Sequence, residues 1–380
     1  MSRREHNEVF VDRKGRTRRY SEKYYARKRQ IRMQLTAIAV AAVLLVAGII
    51  GLIVHLAHRE KPAEIPTSEL QIGEREKAEQ PSFSELTVSA DQELEEQHPH
   101  GIPEHPDMFY RGYEVYSDSA TKAIWSEEVT SQYAVLVDLK DGHIVAQRNA
   151  FDRMYPASMT KVLTVLTAAE YVTDPEDTFV ITQEITDFAY SNGCSIANYL
   201  VGEEVTVRDL FYGTIMPSGA DAALALAYYT AGDVDTFVER MNAKVAELGL
   251  AGDAHFTNPI GIHNTENYCT PAAMAMIMKA ALENDLCREA LAAHIYDTQP
   301  TNLHPVGQQH SNKFLRRIED RDTHGVVLGA KTGYVVESGN CAVSYEQSND
   351  GNQYILVTGM GAGKWAPIKE HALIYCTYVK

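Results

Sequence analysis

Pro156-Ala157-Ser158-Met159-Thr160-Lys161 opens the apolar run Val162-Leu163-Thr164-Val165-Leu166-Thr167-Ala168-Ala169-Glu170. The run reads as a buried helix. Pro156 suits its first turn, where an amide proton has no intrahelical partner. Ser158 and Lys161 then stand at i and i+3 on one helix face. A serine hydroxyl is a weak nucleophile until a base takes its proton. Lysine can do this only when neutral, and both burial and a helix N-terminus lower its pKa. Alone, the pattern describes a capped helix start with a surface lysine equally well.

Two further stretches shift that balance. Lys331-Thr332-Gly333 lies inside the strand-like run Val326-Val327-Leu328-Gly329-Ala330-Lys331-Thr332-Gly333-Tyr334-Val335-Val336. Between the two lies Met216-Pro217-Ser218-Gly219-Ala220-Asp221-Ala222-Ala223, a turn that opens a helix. S-x-x-K, then a serine turn, then K-T-G, is a motif set with a known use in acyl transfer to serine.

The charge is unevenly spread. The net is −16 over 380 residues, yet residues 1–32 carry 12 Lys/Arg against 4 Asp/Glu, which leaves −24 on the remaining 348. An acidic body argues against nucleic acid as a partner. Cys194, Cys269, Cys287, Cys341 and Cys376 show no C-x-x-C spacing and no pairing with histidine, so no zinc or redox motif is read from them. His255 and His263 flank Asn258 without an H-E-x-x-H, and neither a metal nor a cofactor is expected.

Residues 36–57 contain a single ionisable side chain, His55. At about 1.5 Å per residue they reach roughly 33 Å, enough to span a bilayer core. The basic leader, 1–35, then lies in the cytoplasm and the rest of the chain outside. The expectation is a single-pass anchor with an extracytoplasmic domain. A cleaved signal peptide is the rival, but its apolar region would be shorter. Residues 58–115 read as an acidic tether, since 59–110 hold 13 Asp/Glu against 4 Lys/Arg with few large apolar residues.

Residues 116–380 read as one folded domain. Ser131 to Asp138 predicts a strand, Asp141-Gly142 a two-residue hairpin turn, and His143 to Arg148 the return strand. Helices are predicted over 206–215, 220–230 and 234–248, and from Thr270-Pro271 onward. Strands follow at 326–336, 340–345 and 354–360, with a closing helix over 366–378. Strands at both ends with helices between predict a sheet assembled from the two ends of the domain.

With these motifs placed, residues 130–378 resemble the serine-type D-Ala-D-Ala carboxypeptidases, the low-molecular-mass penicillin-binding proteins. Beyond the three motifs, Gly202-Glu203-Glu204-Val205-Thr206-Val207-Arg208-Asp209-Leu210 and Phe256-Thr257-Asn258-Pro259-Ile260-Gly261-Ile262 carry the resemblance. It implies an α/β (α+β) transpeptidase-like fold, an antiparallel sheet against a helical half with the site between them. It implies Ser158 as acylated nucleophile, Lys161 as its base and Ser218 as proton relay. Lys331 and Thr332 would hold the substrate carboxylate, and the amides of Ser158 and Tyr334 would form the oxyanion hole. Gly333 suits a strand that a substrate backbone must approach closely. The implied substrate is a peptidoglycan stem peptide ending in D-Ala-D-Ala, and the implied inhibitors are β-lactams. In some relatives a β-rich domain with an amphipathic anchor follows; here the amino-terminal anchor is expected to replace it.

Two departures bear on activity. The middle motif is usually Ser-x-Asn, and here Ala220 replaces the carboxamide; Asn258 is a neighbour whose own carboxamide is a candidate to compensate. Lys364 and Lys369 are both candidates for the last basic residue of the carboxylate site. Ala220 also keeps open a sensor that is acylated but not turned over. A serine β-lactamase is disfavoured, because no Glu-x-x-Leu-Asn segment lies between Ser218 and Lys331.

Overall fold

Tyr133-Ala134-Val135-Leu136-Val137-Asp138 buries every residue between its ends. Ala134 and Leu136 pack into one apolar cluster, Val135 and Val137 into another. Successive side chains of a strand point to opposite faces, so both faces of this sheet are covered. The computed structural model describes Phe10–Val11, Thr17–Arg18 and residues 109–379. The first two segments pair antiparallel. The predicted anchor at 36–57, most of the leader and the tether up to 108 lie outside the described residues. Among the described residues no helix is long and apolar enough to cross a membrane.

The sheet has six strands: β1 (Lys122–Ala123), β2 (Tyr133–Asp138), β3 (Ile144–Arg148), β4 (Gly325–Val335), β5 (Gly339–Ser348) and β6 (Gln353–Gly361). Their spatial order is β4-β5-β6-β2-β3-β1, antiparallel except between β1 and β3. The pairing of β2 with β6, Leu136 opposite Leu356, joins the two ends of the domain as the sequence predicted.

Eight helices matter for the site: α1 (Thr160–Ala169), α2 (Gln183–Ser191), α3 (Val207–Ile215), α4 (Ala220–Ala231), α5 (Val234–Glu247), α6 (Pro271–Glu283), α7 (Asp285–Ala292) and α8 (Ala366–Tyr378). On one face of the sheet Ile368, Ala372, Ile374 and Tyr375 of α8 join the cluster of Leu136 and Leu356. The other face meets the helical half, where α1 is buried from Thr160 through Ala168. Thr206 and Thr270 cap α3 and α6, accepting from the Asp209 and Ala273 amides at 3.1 and 3.0 Å. Such a cap contributes about 1 kcal/mol.

Three local readings are corrected. The β2–β3 loop is longer than Asp141-Gly142, because Leu139 is drawn into the core and its amide donates to the Gln353 carbonyl. The folded region begins before 116: Phe109, Tyr110 and Tyr113 lie over the Lys279 ammonium at 5.7, 4.9 and 4.4 Å. The Tyr113 hydroxyl donates to Glu283 at 2.6 Å. Aromatic faces and a buried cation attract, so charge composition misplaced this boundary. Finally, α1 does not start at Pro156; a 3-10 turn, Ala157–Met159, precedes it.

Candidate active site

That 3-10 turn carries Ser158. Ala157 sits at φ 45°, in the left-handed region that costs a residue with a Cβ about 1–3 kcal/mol. Ser218 is also left-handed, at φ 63°. Strained backbone of this kind persists only where its surroundings enforce it. Around Ala157 the enforcement is visible: a Cβ on Gly261 would lie 1.9 Å from the Ala157 carbonyl oxygen, so only glycine lets this loop press on the turn.

Lys161, the second residue of α1, is 2% exposed. Its Nζ donates to Ser158 Oγ at 3.1 Å and to the Ile260 carbonyl at 2.7 Å. Asn258 shapes the loop that presents this carbonyl. Its Oδ1 accepts from the amides of Ile260, Gly261 and Ile262 at 3.2, 2.7 and 3.2 Å. Its Nδ2 donates to the Ile262 carbonyl at 3.1 Å. Asn258 therefore does not stand in for the carboxamide missing at Ala220; its own carboxamide is committed to its loop.

Among the described residues no carboxylate is bonded to Lys161. Burial pulls its pKa down to about 8, against an opposing pull from Cys194 and Asp221. A near-neutral amine beside a hydroxyl is what proton abstraction from serine requires. Asp221 itself is spent on architecture: it accepts from the amides of Ala197 and Tyr199 at 2.7 and 3.2 Å, fixing the wall beside the Ser218 turn.

The K-T-G strand closes the site from the sheet side. Lys331, also 2% exposed, donates to Ser218 Oγ at 2.9 Å and to the Thr332 carbonyl at 2.7 Å. Burial, and then repulsion from Lys161, hold its pKa well below the usual lysine value. The two serines are thus bonded in two pairs, Ser158 with Lys161 and Ser218 with Lys331. Among the described residues no hydrogen bond joins Ser218 to Lys161. Gly333 is required for a reason different from the one the sequence suggested. A Cβ there would lie 2.8 Å from Cys341 Sγ, 2.9 Å from the Ser158 amide and 3.0 Å from the Pro156 carbonyl. The chain's own Ser158 turn demands the bare backbone.

A cleft of about 410 Å³ opens onto these groups, lined by Ser158, Lys161, Ser218, Thr332, Gly333 and Tyr334. Lys364 lines it as well, whereas Lys369 is not on its wall. Asn192, Cys194 and Arg317 are among the lining residues that escaped the sequence reading of the site. Asn192 brings a carboxamide to the rim, with its Nδ2 donating to the Phe188 carbonyl at 2.8 Å. Burial pushes the Cys194 thiol up, while Lys161 pulls it down. Arg317 lies 4.5 Å over the Trp365 ring. Nothing in their spacing announces them, since Asn192 and Cys194 sit on a loop and Arg317 on the one-turn helix Leu315–Ile318, which only the fold brings to the cleft.

With this geometry the relationships are specific. The D-alanyl-D-alanine carboxypeptidase family of S11 peptidases matches residues 118–363. The D-alanyl-D-alanine carboxypeptidase DacF of Bacillus subtilis is 28% identical over 229 residues, 60% of this chain and 57% of that protein. A D-alanyl-D-alanine carboxypeptidase of Streptomyces sp. strain K15 is 31% identical over 218 residues, 53% of this chain and 71% of that one. The crystal structure of the Streptomyces K15 DD-transpeptidase superposes with a TM-score of 0.59 at 25% identity, covering 67% of this chain and 98% of that chain. The chain spans 57% and 65% of the length of the Bacillus protein and of a Haemophilus influenzae relative. The chain belongs to the D-alanyl-D-alanine carboxypeptidase family of S11 peptidases.

Proposed function

We propose that this chain is a serine D,D-carboxypeptidase that removes the terminal D-alanine from peptidoglycan stem peptides. The observation that carries the reading is the 3.1 Å contact between Ser158 and a buried Lys161 with no carboxylate bonded to it. In this mechanism neutral Lys161 takes the Ser158 proton as Oγ attacks the carbonyl of the penultimate D-alanine. The amides of Ser158 and Tyr334 stabilise the oxyanion. Ser218, bonded to Lys331, relays the proton taken up by Lys161 to the leaving amine, and D-alanine departs. Water then hydrolyses the ester and returns the enzyme. Lys331 and Thr332 hold the substrate carboxylate, with Lys364 and Arg317 adding positive charge along the same cleft. β-Lactams would acylate Ser158 by the same route.

The test is release of D-alanine by the full chain from a peptide ending in Lys-D-Ala-D-Ala. Release that disappears in Ser158→Ala supports the reading. A folded chain that takes up labelled penicillin at Ser158 yet releases no D-alanine would overturn it in favour of a sensor. Ala220 motivates that second reading, because losing a hydrogen bond from a carboxamide to a charged group costs about 1.5–3 kcal/mol. We also place the domain outside the cytoplasm, held by residues 36–57. Recovery of the full chain in the soluble fraction of lysed cells would contradict that placement.

A further inference from the structure

Outside the cleft lining, three side chains converge where the chain enters β4. Asp322, His324 and Cys376 each offer one ligand atom, and these atoms lie within 4.8 Å of one another. Among the described residues no other group of three such side chains does so. Asp322 and His324 lie in the loop before β4, and Cys376 lies in the last turn of α8.

The histidine is already oriented as a ligand. Its Nδ1 is 3.0 Å from the Val379 carbonyl oxygen. A carbonyl only accepts, so Nδ1 carries the proton and the neutral ring presents its lone pair at Nε2. That nitrogen faces Cys376 Sγ at 3.6 Å. A metal-ligating histidine characteristically donates its other ring N–H to a carbonyl or carboxylate in this way. The His324 backbone is held at φ 62° by a further contact, its amide donating to Asp322 Oδ1 at 3.1 Å.

The spacing fits one class of cation. Zinc bonds of about 2.0–2.1 Å to nitrogen and 2.3 Å to sulfur, at a tetrahedral angle, place the two ligand atoms roughly 3.5 Å apart. The observed 3.6 Å needs almost no movement. Asp322 is exposed, so its carboxylate is able to swing the remaining distance. One thiolate, one imidazole and one carboxylate suit a borderline-soft divalent ion and not calcium or magnesium, which prefer all-oxygen shells.

We propose that Asp322, His324 and Cys376 bind a divalent transition-metal ion of the zinc type, with water completing the shell. On binding, the Cys376 thiol loses its proton to solvent and the two anionic ligands balance the 2+ charge. The ion fastens the last turn of α8 to the loop that leads into β4, the strand bearing Lys331-Thr332-Gly333. Its role is structural, and it takes no part in the chemistry at Ser158.

The test is a cobalt titration of the reduced, chelator-stripped full chain. The expected result is a thiolate-to-cobalt charge-transfer band that saturates at one ion per chain. Zinc should displace it, and a hundredfold excess of magnesium or calcium should not. The histidines at 98, 100 and 105 cannot produce a thiolate band. The band should vanish in Cys376→Ser and persist in Cys194→Ser, with thermal unfolding confirming that each variant is folded. His324→Asn, which tolerates the left-handed backbone, should weaken cobalt binding about 100-fold. Absence of the band from the unmodified chain overturns the proposal without reference to any variant. Survival of the band in Cys376→Ser, or unchanged affinity in His324→Asn, overturns it too.

Discussion

Among the described residues four lysines are buried, and they divide by region. At the base of the helical half, Lys244 lies between Glu170 and Glu247, the latter at 2.5 Å, and Lys279 donates to Glu283 at 2.6 Å. In the cleft, Lys161 and Lys331 donate only to serine hydroxyls and backbone carbonyls. Burial pulls the Lys161, Lys331 and Lys244 ammonium groups down, yet Lys244 ends above the usual lysine value because two glutamates outweigh its desolvation. Lys161 has no such partner and falls to about 8. Burial alone does not make a base; burial without a carboxylate does.

The sharpest test of this contrast is Lys161→Met. D-Alanine release should fall at least about a thousandfold, the scale expected for loss of a general base and its activated nucleophile. In the intact chain release should rise with pH towards a plateau above about 8, as Lys161 loses its proton. Stability should move the other way in the comparison. Between pH 8 and 10.5 the unfolded chain holds the lysine proton that the folded chain has lost, so the intact protein gains stability as pH rises. Any advantage of Lys161→Met in chemical unfolding should therefore shrink over that window, by up to about 3 kcal/mol. A constant difference would show that Lys161 is not depressed.

Glu346 probes the same rule with opposite charge and away from the cleft. It is fully buried in β5 with its carboxyl oxygens poorly served by hydrogen bonds among the described residues, and burial, only partly offset by the Thr323 side chain, pushes its pKa up to about 8. Its protonated folded form favours folding fully below about pH 4.5 and loses that advantage as pH rises to 8. Glu346→Gln should then match the parent near pH 4.5 and exceed its stability by roughly 3 kcal/mol at pH 8. Turnover should be unchanged. Equal stabilities at both pH values would refute the buried acid.

The smallest effect is expected where the lysine is paired. Glu283→Gln strands the Lys279 ammonium beneath three aromatic rings, and should cost about 2–3 kcal/mol because an uncompensated buried charge remains. Activity per folded molecule should persist, since Lys279 is remote from the cleft lining. A loss of turnover without a loss of stability would abolish the division between the two regions.

Much of this was legible before any coordinates. Ser158, Lys161, Ser218 and Lys331 were located from motif order; the first three line the cleft, and Lys331 reaches it through its bond to Ser218. The closing helix was placed at 366–378, as found. Helices α2 and α7 were not placed, because short surface helices such as Gln183–Ser191 lack a long apolar stripe. The loop wall of Asn192 and Cys194 was invisible for a related reason: no periodicity marks a loop. Cys376 likewise has no neighbour in sequence that suggests a ligand set, as its partners lie more than fifty residues away.

The sequence by itself determined which groups are able to react and which strands and helices carry them, because periodicity and motif spacing are local properties of the chain. Only the tertiary structure decided how those groups are paired and what they feel. Asn258 became a brace for the Ile260 carbonyl, and Gly333 an opening for the Ser158 turn. A lysine's proton affinity depends on the water and charges around it, and those are assembled from segments distant along the chain. Lys161 and Lys279 each have a near neighbour legible in the sequence, Ser158 and Glu283; only the fold adds the Ile260 carbonyl to the one and three aromatic rings to the other.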